Sequence, residues 1–280
     1  MIVFLNGKFV PEEQAVISVF DRSFLYGDGL FEAMLIFNSK PFRWATHLKR
    51  FEFGAQFLKI PVPVTPDALR AHVNELIAQN NATQALLRIT LSRGVGLRGY
   101  SPKGADQPCL VMSLHPAQLP AATPTQWRII TSSCRLPANE PLAQFKTCNK
   151  LPQIMARAEA DSAGANEALL LNTNGHAVEG STSNLFWIKD KTVFTPPLNA
   201  GILPGVTRST ITELCKTLRL PFNEAEVTPG ELARIEGAFF SLTSLGIAEV
   251  VSLDGVTLSQ SKITKKLTDA YWDLVRHECA

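Results

Sequence analysis

Apolar residues follow two different patterns in the first third of the chain. From Leu30 to Phe42 they form strand-like runs on either side of Asn38-Ser39-Lys40, which predicts a β-hairpin. Over residues 44–59 they recur at about i, i+4, i+7 and i+11, which predicts an amphipathic helix. A second helix is predicted from Thr65 to Gln79, because Thr65 suits the N-cap and Pro66 suits the first helical position.

The first twenty residues contain two apolar runs, IVFLNGKFV and AVISVF, on either side of Pro11-Glu12-Glu13. We predict that each run forms a strand and that the residues between them form a turn. The same periodicities predict further strands at 85–92, 109–114, 127–132, 167–171, 176–178, 185–188 and 191–195, and further helices at 151–163, 207–218 and 263–276. Because strands follow one another in runs rather than alternating regularly with helices, the predicted fold class is α+β.

The length of 280 residues suits one large domain or two ordinary ones, and 45% hydrophobic residues suffice for a core. The clearest change in composition runs from His115-Pro116 to Pro124, a stretch with three prolines and no strong periodicity. We therefore predict a smaller N-terminal domain at 1–116, a linker at 117–125 and a larger C-terminal domain at 126–280.

The charge of the chain is nearly balanced, with 27 Lys and Arg against 25 Asp and Glu. This balance argues against a nucleic-acid or membrane-surface partner. The opening MIVFLNGKFV has no basic leader before a long apolar stretch, so we predict no signal or transit peptide. Five cysteines without C-x-x-C spacing and five scattered histidines argue against a disulfide framework and a metal site, and favour a cytoplasmic location.

Two lysines of the segment QFKTCNK stand just before a predicted helix. Lys146 follows the apolar Phe145, which favours partial burial, whereas Lys150 lies at the helix start, where lysines usually face solvent. A buried lysine has a lowered pKa and can act as a nucleophile or form a Schiff base. The alternative for Lys146 is an ordinary surface lysine, since most lysines are exposed.

Glu179 lies between two predicted strands in the segment HAVEGSTSNLFW. It is either a turn carboxylate followed by small turn residues, or a carboxylate that nearby hydroxyls and amides hold toward a ligand nitrogen. The pattern of residues is compatible with both interpretations.

The segment ILPGVTRSTITELCKTL joins a Pro204-Gly205 turn to a helix that begins around Thr207. Main-chain N–H groups at a helix start suit a phosphate, with Gly205 allowing close approach and Thr207 adding a hydroxyl. The alternative is that Thr207 is an ordinary N-cap. A second hydroxyl-bearing turn, at 241–246, is either another wall of the same anion site or an ordinary strand end.

Arg50 lies at the edge of the apolar face of the first predicted helix. Its planar, permanently charged guanidinium suits a phosphate. The alternative is a side chain that is solvated or extends its charged end to water.

Seven segments carry these candidate residues in a fixed order. They are DRSFLYGDGLFEA at 21–33, HLKR at 47–50, RGVGLRGY at 93–100, FKTCNKL at 145–151, VEGSTSNLFW at 178–187, LPGVTR at 203–208 and FFSLTS at 239–244. Together they resemble the class IV aminotransferases, the fold-type IV enzymes that use pyridoxal 5'-phosphate (PLP). This family includes branched-chain and D-amino acid aminotransferases, (R)-selective amine transaminases and 4-amino-4-deoxychorismate lyases. The resemblance implies a two-domain α+β homodimer with its active site between the domains and near the subunit interface.

The resemblance also implies a role for each candidate residue. Lys146 would bond covalently to C4' of PLP and then carry a proton between the substrate and the cofactor. Glu179 would face the pyridine nitrogen and keep it protonated, so that the ring can accept electrons. The phosphate would be bound by Arg50, Val206, Thr207 and Thr243.

The resemblance assigns fewer residues to substrate recognition. Phe31 would line the substrate pocket. Arg98 matches the arginine that D-amino acid aminotransferases bring to the substrate carboxylate from the neighbouring subunit, whereas Tyr100 stands where that subgroup has a histidine. The segments RGVGLRGY and NLFW are closer to the lyases, but Leu242 stands where many lyases have an asparagine. Ala33 breaks the F-E-G pattern of the branched-chain enzymes.

We therefore expect an aminotransferase that moves an amino group between an amino acid and a 2-oxo acid by a ping-pong route. The alternative is a 4-amino-4-deoxychorismate lyase, which releases pyruvate and 4-aminobenzoate for the folate pathway. Lys146 and Glu179 serve both reactions, so they do not discriminate between them. A third hypothesis is a PLP carrier without catalysis, although such a protein would not need a carboxylate at the ring nitrogen.

Overall fold

The computed structural model describes residues 1–117 and 125–280. The interior of the predicted linker, residues 118–124, lies outside the described residues. Across the described part, no helix is both long and apolar enough to cross a membrane. Each of the five cysteines is a free thiol.

The described chain divides into two compact units. The N-terminal unit consists of Met1–Ala117, Phe145–Asn149 and Val275–Ala280, and the C-terminal unit consists of the other described residues. Lys146 thus belongs to the N-terminal unit, which differs from the prediction that the domain at 126–280 carries it. The reason is that the main chain beside Lys146 pairs with a strand of the N-terminal unit.

Residues 1–117 of the N-terminal unit form a six-stranded sheet and three α-helices. Its elements are β1 (Ile2–Leu5), β2 (Lys8–Pro11), α1 (Arg22–Tyr26), β3 (Gly29–Phe37), β4 (Lys40–Pro41), α2 (Trp44–Leu58), α3 (Pro66–Gln79), β5 (Gln84–Ser92) and β6 (Cys109–His115), with a 3-10 helix at Glu12–Gln14. The strands lie in the order β2-β1-β6-β5-β3-β4, and each neighbouring pair is antiparallel.

The core of this unit lies between the sheet and the apolar faces of α2 and α3. Met34 of β3, Phe51 of α2 and Val73 of α3 are fully buried members of one cluster. Burying a side chain of this kind contributes about 1.5–3 kcal/mol. The predicted hairpin and both predicted helices of this region are therefore present, and Thr65 caps α3 by accepting a hydrogen bond from the N–H of Ala68 (3.2 Å).

The prediction for the first twenty residues was wrong. IVFLNGKFV is not one strand but the hairpin of β1 and β2, closed by Asn6 and Gly7 with φ angles of +48° and +88°. Asn-Gly is the usual pair for such a two-residue turn, because both central residues need a positive φ. AVISVF forms no strand, and Val16 in this run is 75% exposed.

The C-terminal unit contains nine strands and the remaining helices of the described residues, except that the last four residues of the final helix (275–278) belong to the N-terminal unit. Its elements are β7 (Thr125–Leu136), α4 (Leu151–Ser162), β8 (Glu167–Asn172), β9 (Ala177–Gly180), β10 (Asn184–Lys189), β11 (Thr192–Thr195), α5 (Val206–Thr217), β12 (Phe222–Glu224), α6 (Pro229–Leu232), β13 (Gly237–Leu242), β14 (Gly246–Leu253), β15 (Val256–Thr257) and α7 (Lys262–Glu278), with 3-10 helices at Pro141–Gln144 and Leu198–Ala200.

Six strands of this unit close into a barrel. The sheet runs β12-β11-β10-β13-β14-β7-β8-β9, and β9 also pairs with β10, so the path from β10 to β9 returns to its start. Leu185 of β10, Phe240 of β13 and Val250 of β14 are buried in one apolar cluster. The barrel gives Glu179, at its β9–β10 closure, a rigid support.

Several predicted boundaries in this unit shift by one to four residues. The largest shift is in β7, which extends to Leu136, four residues beyond the predicted end. The helix α5 begins at Val206, and its N-cap is Gly205 rather than Thr207. The strands β12 to β15 and the helix α6 were not predicted. β12, β15 and α6 are each too short to show a periodicity, whereas β13 and β14 are buried along most of their length and show no regular alternation of apolar and polar residues.

Candidate active site

Lys146 lies on an extended segment that adds to the edge of β3. The N–H of Phe31 donates to the Lys146 carbonyl (2.8 Å), and the N–H of Cys148 donates to the Gly29 carbonyl (2.9 Å). Between these bonds Leu30 and Thr147 form an antiparallel bridge. The main chain from Lys146 to Cys148 is therefore hydrogen-bonded to β3.

The side chain of Lys146 is half-buried and contacts an aromatic ring. Its Nζ lies 4.6 Å from the ring centroid of Phe31, which is within the range of a cation–π contact. Lys150 is in a different setting, since it is the N-cap residue of α4 in the C-terminal unit. The structure therefore places Lys146 beside the predicted pocket residue Phe31.

Arg88 of β5 is a second cation at Phe31, and the sequence analysis missed it. The guanidinium carbon lies 3.8 Å from the ring centroid, and Nε donates to Thr90 Oγ1 (3.2 Å). Burial lowers the pKa of Arg88. A charged residue in the middle of an otherwise apolar strand was the signal available in the sequence.

Arg50 belongs to a buried cluster with Glu32 of β3 and His47 of α2. Its Nε donates to Glu32 Oε1 (2.6 Å) and its Nη2 donates to Glu32 Oε2 (2.8 Å). His47 Nδ1 also binds Glu32 Oε2 (2.8 Å). The solvated alternative for Arg50 was wrong, because its side chain is only 10% exposed and forms a bidentate ion pair.

The electrostatics of this cluster favour a charged Glu32 and a neutral His47. Burial alone would raise the pKa of Glu32, but the charge of Arg50 and the hydrogen bonds from His47 and Arg50 lower it to about 2. Burial lowers the pKa of His47, and the charge of Lys146 acts in the same direction. Since a carboxylate only accepts hydrogen bonds, neutral His47 donates its Nδ1 proton to Glu32.

Arg22 of α1 binds the main chain of the loop that carries Arg98 and Tyr100. Its guanidinium donates to the carbonyls of Gly99 (3.0 Å), Tyr100 (3.0 Å) and Ser101 (3.1 Å), and to Asp28 Oδ2 (2.7 Å). This arginine is almost fully buried. The loop is therefore fixed by its main chain, and none of these bonds depends on the loop's own side chains.

Asp28 joins this loop to the end of α2. It accepts a second bond from Arg93 Nε (2.8 Å), and Arg93 in turn donates to the carbonyls of Leu58 (2.8 Å) and Lys59 (3.0 Å). Burial opposes the ionisation of Asp28, but hydrogen bonds from Arg93 and Arg22 lower its pKa below the usual value. Neither Arg22 nor Asp28 was singled out in the sequence.

The two predicted substrate residues of this loop are exposed in the N-terminal unit. Tyr100 is 86% exposed, with its ring edge-on to Tyr26 at 5.5 Å, and Arg98 is also exposed. The N-terminal unit thus brings together Phe31, Lys146 and the cluster of Arg50, but its own chain buries neither Arg98 nor Tyr100.

In the C-terminal unit, Glu179 is a buried carboxylate at the end of β9. Its side chain accepts a hydrogen bond from the N–H of Leu203 (3.0 Å) through Oε2. Asn184 of β10 pairs in register with Glu179, and its Nδ2 donates to the Leu203 carbonyl (2.8 Å). The peptide groups on both sides of Leu203 are therefore bound by neighbouring strands.

The hydroxyls that follow Glu179 bind another carboxylate, which corrects the expectation that they hold Glu179. Glu167 of β8 is fully buried and accepts bonds from Ser181 Oγ (2.5 Å), Thr182 Oγ1 (3.2 Å) and Ser183 Oγ (3.2 Å). The N–H of Ser181 also donates to it (3.1 Å). Glu167 thus fixes the loop between β9 and β10, and no local sequence pattern indicated it.

The start of α5 lies against Asn184. A Cβ built on Gly205 would overlap Asn184 Oδ1, so the missing side chain of this glycine admits the asparagine. Gly205 makes no side-chain cap, and the N–H groups of the first helical turn have no partner within the helix ladder. Val206 and Thr207 are buried in that first turn.

Ser241 and Thr243 lie at and just beyond the end of β13. Ser241 of β13 pairs in register with Asn184, and Thr243 is half-buried in the turn that follows the strand. Within residues 1–117 and 125–280, the buried Oγ of Ser241 has no hydrogen-bond partner. A buried polar atom without a partner costs about 1–3 kcal/mol, which is consistent with a polar ligand at this place.

Comparison with known proteins decides the family. The model of the family described as amino-transferase class IV matches residues 29–253. This chain is a class IV aminotransferase-family protein. The resemblance inferred from the seven segments is therefore confirmed, and so is the α+β, fold-type IV class.

Relatives within the family include both of the expected enzyme types. A putative branched-chain-amino-acid aminotransferase of Methanocaldococcus jannaschii is 34% identical over 278 residues, covering 98% of this chain and 96% of the relative. An aminodeoxychorismate lyase of Vibrio harveyi is 31% identical over 252 residues, covering 89% and 91%.

A solved relative identifies the cofactor. A branched-chain amino acid aminotransferase, solved in complex with N-(5'-phosphopyridoxyl)-L-glutamate, superposes with a TM-score of 0.90 at 27% identity and covers 97% of this chain and 93% of its own. Class IV aminotransferases use PLP, which is the cofactor of this enzyme. Each unit by itself contains groups whose chemistry fits part of this cofactor. The N-terminal unit has the Lys146 amine beside Phe31, and the C-terminal unit has the buried Glu179 carboxylate and the main-chain N–H groups at the start of α5.

Proposed function

We propose that this PLP enzyme is an aminotransferase that moves an amino group between an amino acid and a 2-oxo acid by a ping-pong route. The observation that carries the proposal is the setting of Lys146. The main chain from Lys146 to Cys148 is hydrogen-bonded to β3, and the Lys146 amine lies at the ring of Phe31. This arrangement suits a group that must stay in place while its amine forms and breaks a covalent bond.

On this proposal, Lys146 would hold the cofactor by a covalent bond at C4', and the substrate amino group would displace the lysine amine from that carbon. The released amine could then take the proton from the substrate Cα and give it to C4', and this second transfer distinguishes amino-group transfer from simple proton exchange. Bound PLP supplies the electron sink for this chemistry. Because Lys146 has both roles, no second titratable base is required.

We propose that Glu179 keeps the pyridine nitrogen protonated. Its carboxylate is buried, and one oxygen is oriented by the N–H of Leu203. A negative charge fixed at this nitrogen favours the protonated ring. The bond from Leu203 supports the proposal because it restricts the direction in which the carboxylate points.

The phosphate of PLP is proposed to bind at the start of α5, with Arg50 as its cationic partner. The N–H groups of Val206 and Thr207 and the positive end of the helix dipole favour an anion there. Thr243 would add a hydroxyl from the turn after β13. The partnerless Ser241 hydroxyl near this turn supports a polar ligand.

Substrate recognition is proposed to use Phe31 together with Arg98 and Tyr100 of a partner subunit. The loop that carries the latter two is fixed by Arg22, yet their side chains are exposed. Apolar side chains of this loop and of the run before α1 are exposed too, including Leu97 (77%) and Val16 (75%). Large exposed apolar patches mark interaction sites, so we propose a homodimer.

The amino-transfer proposal is tested by a half-reaction in the absence of a 2-oxo acid. The holoenzyme is mixed with one amino acid at a time, and pyridoxamine 5'-phosphate is measured by chromatography. The panel contains branched-chain amino acids, as the name of the archaeal relative suggests, with alanine and glutamate in both enantiomeric forms. Formation of pyridoxamine 5'-phosphate and the matching 2-oxo acid is the expected result.

The reactive lysine is tested separately by borohydride reduction of the holoenzyme and peptide mass spectrometry. The cofactor is expected on Lys146. Lys146→Ala should lose the covalent cofactor and turnover, whereas Lys150→Ala is the matched control and should retain both. Label on Lys150, or full activity of Lys146→Ala, would show that the wrong lysine was assigned.

A second candidate function is supported by the lyase relative at 31% identity. If no amino acid forms pyridoxamine 5'-phosphate, and aminodeoxychorismate yields pyruvate and 4-aminobenzoate, the enzyme is a lyase. If the cofactor binds covalently but neither reaction occurs, the third hypothesis of a PLP carrier replaces both.

A further inference from the structure

The buried cluster of Arg50, Glu32 and His47 has one member that reaches the surface. The side chain of Arg50 is 10% exposed, whereas those of Glu32 and His47 are 1% and 2% exposed. A ligand can therefore approach the arginine of this cluster but not its carboxylate. Glu32 is excluded from direct contact with a cofactor or substrate by its burial.

We infer that Glu32 is the positioning residue that fixes the guanidinium of Arg50 for the phosphate of PLP, and that His47 in turn fixes Glu32. This inference rests on the proposed role of Arg50. Both Nε and Nη2 of Arg50 bind the same carboxylate, at 2.6 and 2.8 Å, so the guanidinium plane has one orientation. Without this partner, the long side chain of Arg50 could adopt several rotamers.

His47 completes the arrangement because it lies one helical turn before Arg50 on the same face of α2. Its Nδ1 proton is donated to Glu32 Oε2, the oxygen that also accepts from Arg50 Nη2. Glu32 thus receives three hydrogen bonds from two residues of one helix. These bonds offset the cost of burying its charge.

The charge of Glu32 alone would have the opposite effect on phosphate. A carboxylate beside Arg50 cancels part of the attraction between the guanidinium and an anion, so its removal would strengthen phosphate binding if charge were decisive. We expect orientation to be decisive, because a bidentate guanidinium–phosphate contact needs a fixed plane. An amide at position 32 keeps only one acceptor oxygen and cannot hold both nitrogens.

The test compares two forms of the cofactor that differ only in the phosphate. Dissociation constants of PLP and of pyridoxal are measured for the cofactor-free protein by the absorbance of the lysine-bound chromophore. Glu32→Gln is expected to weaken PLP binding about tenfold, the scale of a lost hydrogen bond to a charged group. Pyridoxal binding should stay unchanged, since it makes no phosphate contact.

Three other results would overturn the inference. An equal loss of affinity for PLP and pyridoxal would mean that Glu32 merely maintains the fold. Stronger PLP binding would mean that the charge of Glu32, and not its orienting bonds, is decisive, and unchanged PLP binding would mean that Glu32 does not position Arg50 for the phosphate. Asp28→Asn is the matched control, because it also removes a carboxylate paired with two basic side chains, and it should leave the ratio of the two constants unchanged.

Arg50→Gln separates this inference from the proposed phosphate site. If that variant does not change the ratio of PLP to pyridoxal affinity, the assignment of Arg50 itself is wrong. If it changes the ratio and Glu32→Gln does not, only the role of Glu32 is refuted. Should Glu32→Gln not fold, Glu32→Asp replaces it, because the shorter side chain withdraws the carboxylate from the two nitrogens, and the same ratio decides.

Discussion

Adding one methyl group at position 205 should disturb the C-terminal half of the site through a defined contact. Gly205 has a φ of −64°, so alanine meets no backbone strain there. Its Cβ would overlap Asn184 Oδ1. The asparagine must move, and it would then lose the 2.8 Å bond from its Nδ2 to the Leu203 carbonyl.

The expected cost follows from the burial of that bond. Asn184 is 5% exposed, so its displaced amide has no ready replacement in water. Losing a buried hydrogen bond and leaving its groups unpaired costs about 2–4 kcal/mol. Gly205→Ala should therefore lower the free energy of unfolding of the cofactor-free protein by about that amount, measured by urea denaturation.

A double-mutant cycle identifies the contact responsible. Asn184→Ala removes the group that the new methyl would meet, so the double variant Gly205→Ala/Asn184→Ala should be no less stable than Asn184→Ala alone. The coupling energy should then equal the cost of Gly205→Ala alone, about 2–4 kcal/mol. Gly230→Ala is the control, because a Cβ there has no heavy atom within 4 Å. If the two costs simply add, overlap with Asn184 is not the cause and our reasoning is refuted.

Three further changes test other parts of the molecule. Arg98→Ala should raise the KM for carboxylate substrates by at least tenfold (roughly the value of one charged hydrogen bond) and leave PLP content unchanged, and an unchanged KM would remove Arg98 from the site. Arg22→Lys should speed amide hydrogen exchange at residues 99–101, because a lysine cannot hold three carbonyls and Asp28 at once, and equal exchange in both proteins would contradict this. Since Glu32 has a pKa lowered from 4.5 to about 2, its ionised form stabilises the fold above about pH 4.5, and this contribution is lost as the pH falls toward 2. Glu32→Gln should therefore lose less stability than the parent over that interval, and parallel pH curves would count against the assignment.

Elements with a long, repeated pattern could be predicted from the sequence. The helices α2 and α3 and the hairpin of β3 and β4 have periodicities or turn residues that act locally, and these agree with the structure. The run AVISVF shows the limit of this approach. Its apolar residues indicate a segment that favours burial, but they do not indicate which surface would cover it. In this chain these side chains remain exposed.

The residues that hold the site in place could not be predicted in the same way. Glu32 binds partners 15 and 18 positions away, and Glu167 binds hydroxyls 14 to 16 positions away. Arg22 reaches carbonyls 77 to 79 positions away. Such contacts depend on the paired strands and loops of the finished fold, so no local pattern shows them. Lys146 and Glu179 were found by the resemblance to a family, and the chemistry of single residues would have left them ambiguous.

The two main-chain hydrogen bonds of Leu203 restrict the cofactor analogues that the enzyme can accept. The N–H of Leu203 binds Glu179 and its carbonyl binds Asn184, and only two residues separate Leu203 from the first turn of α5. On the proposed assignment, one short, doubly tethered stretch of main chain sets the distance from the ring-nitrogen partner to the phosphate site. A PLP analogue whose phosphate arm is longer by one methylene should then bind more weakly than PLP, although it has the same functional groups.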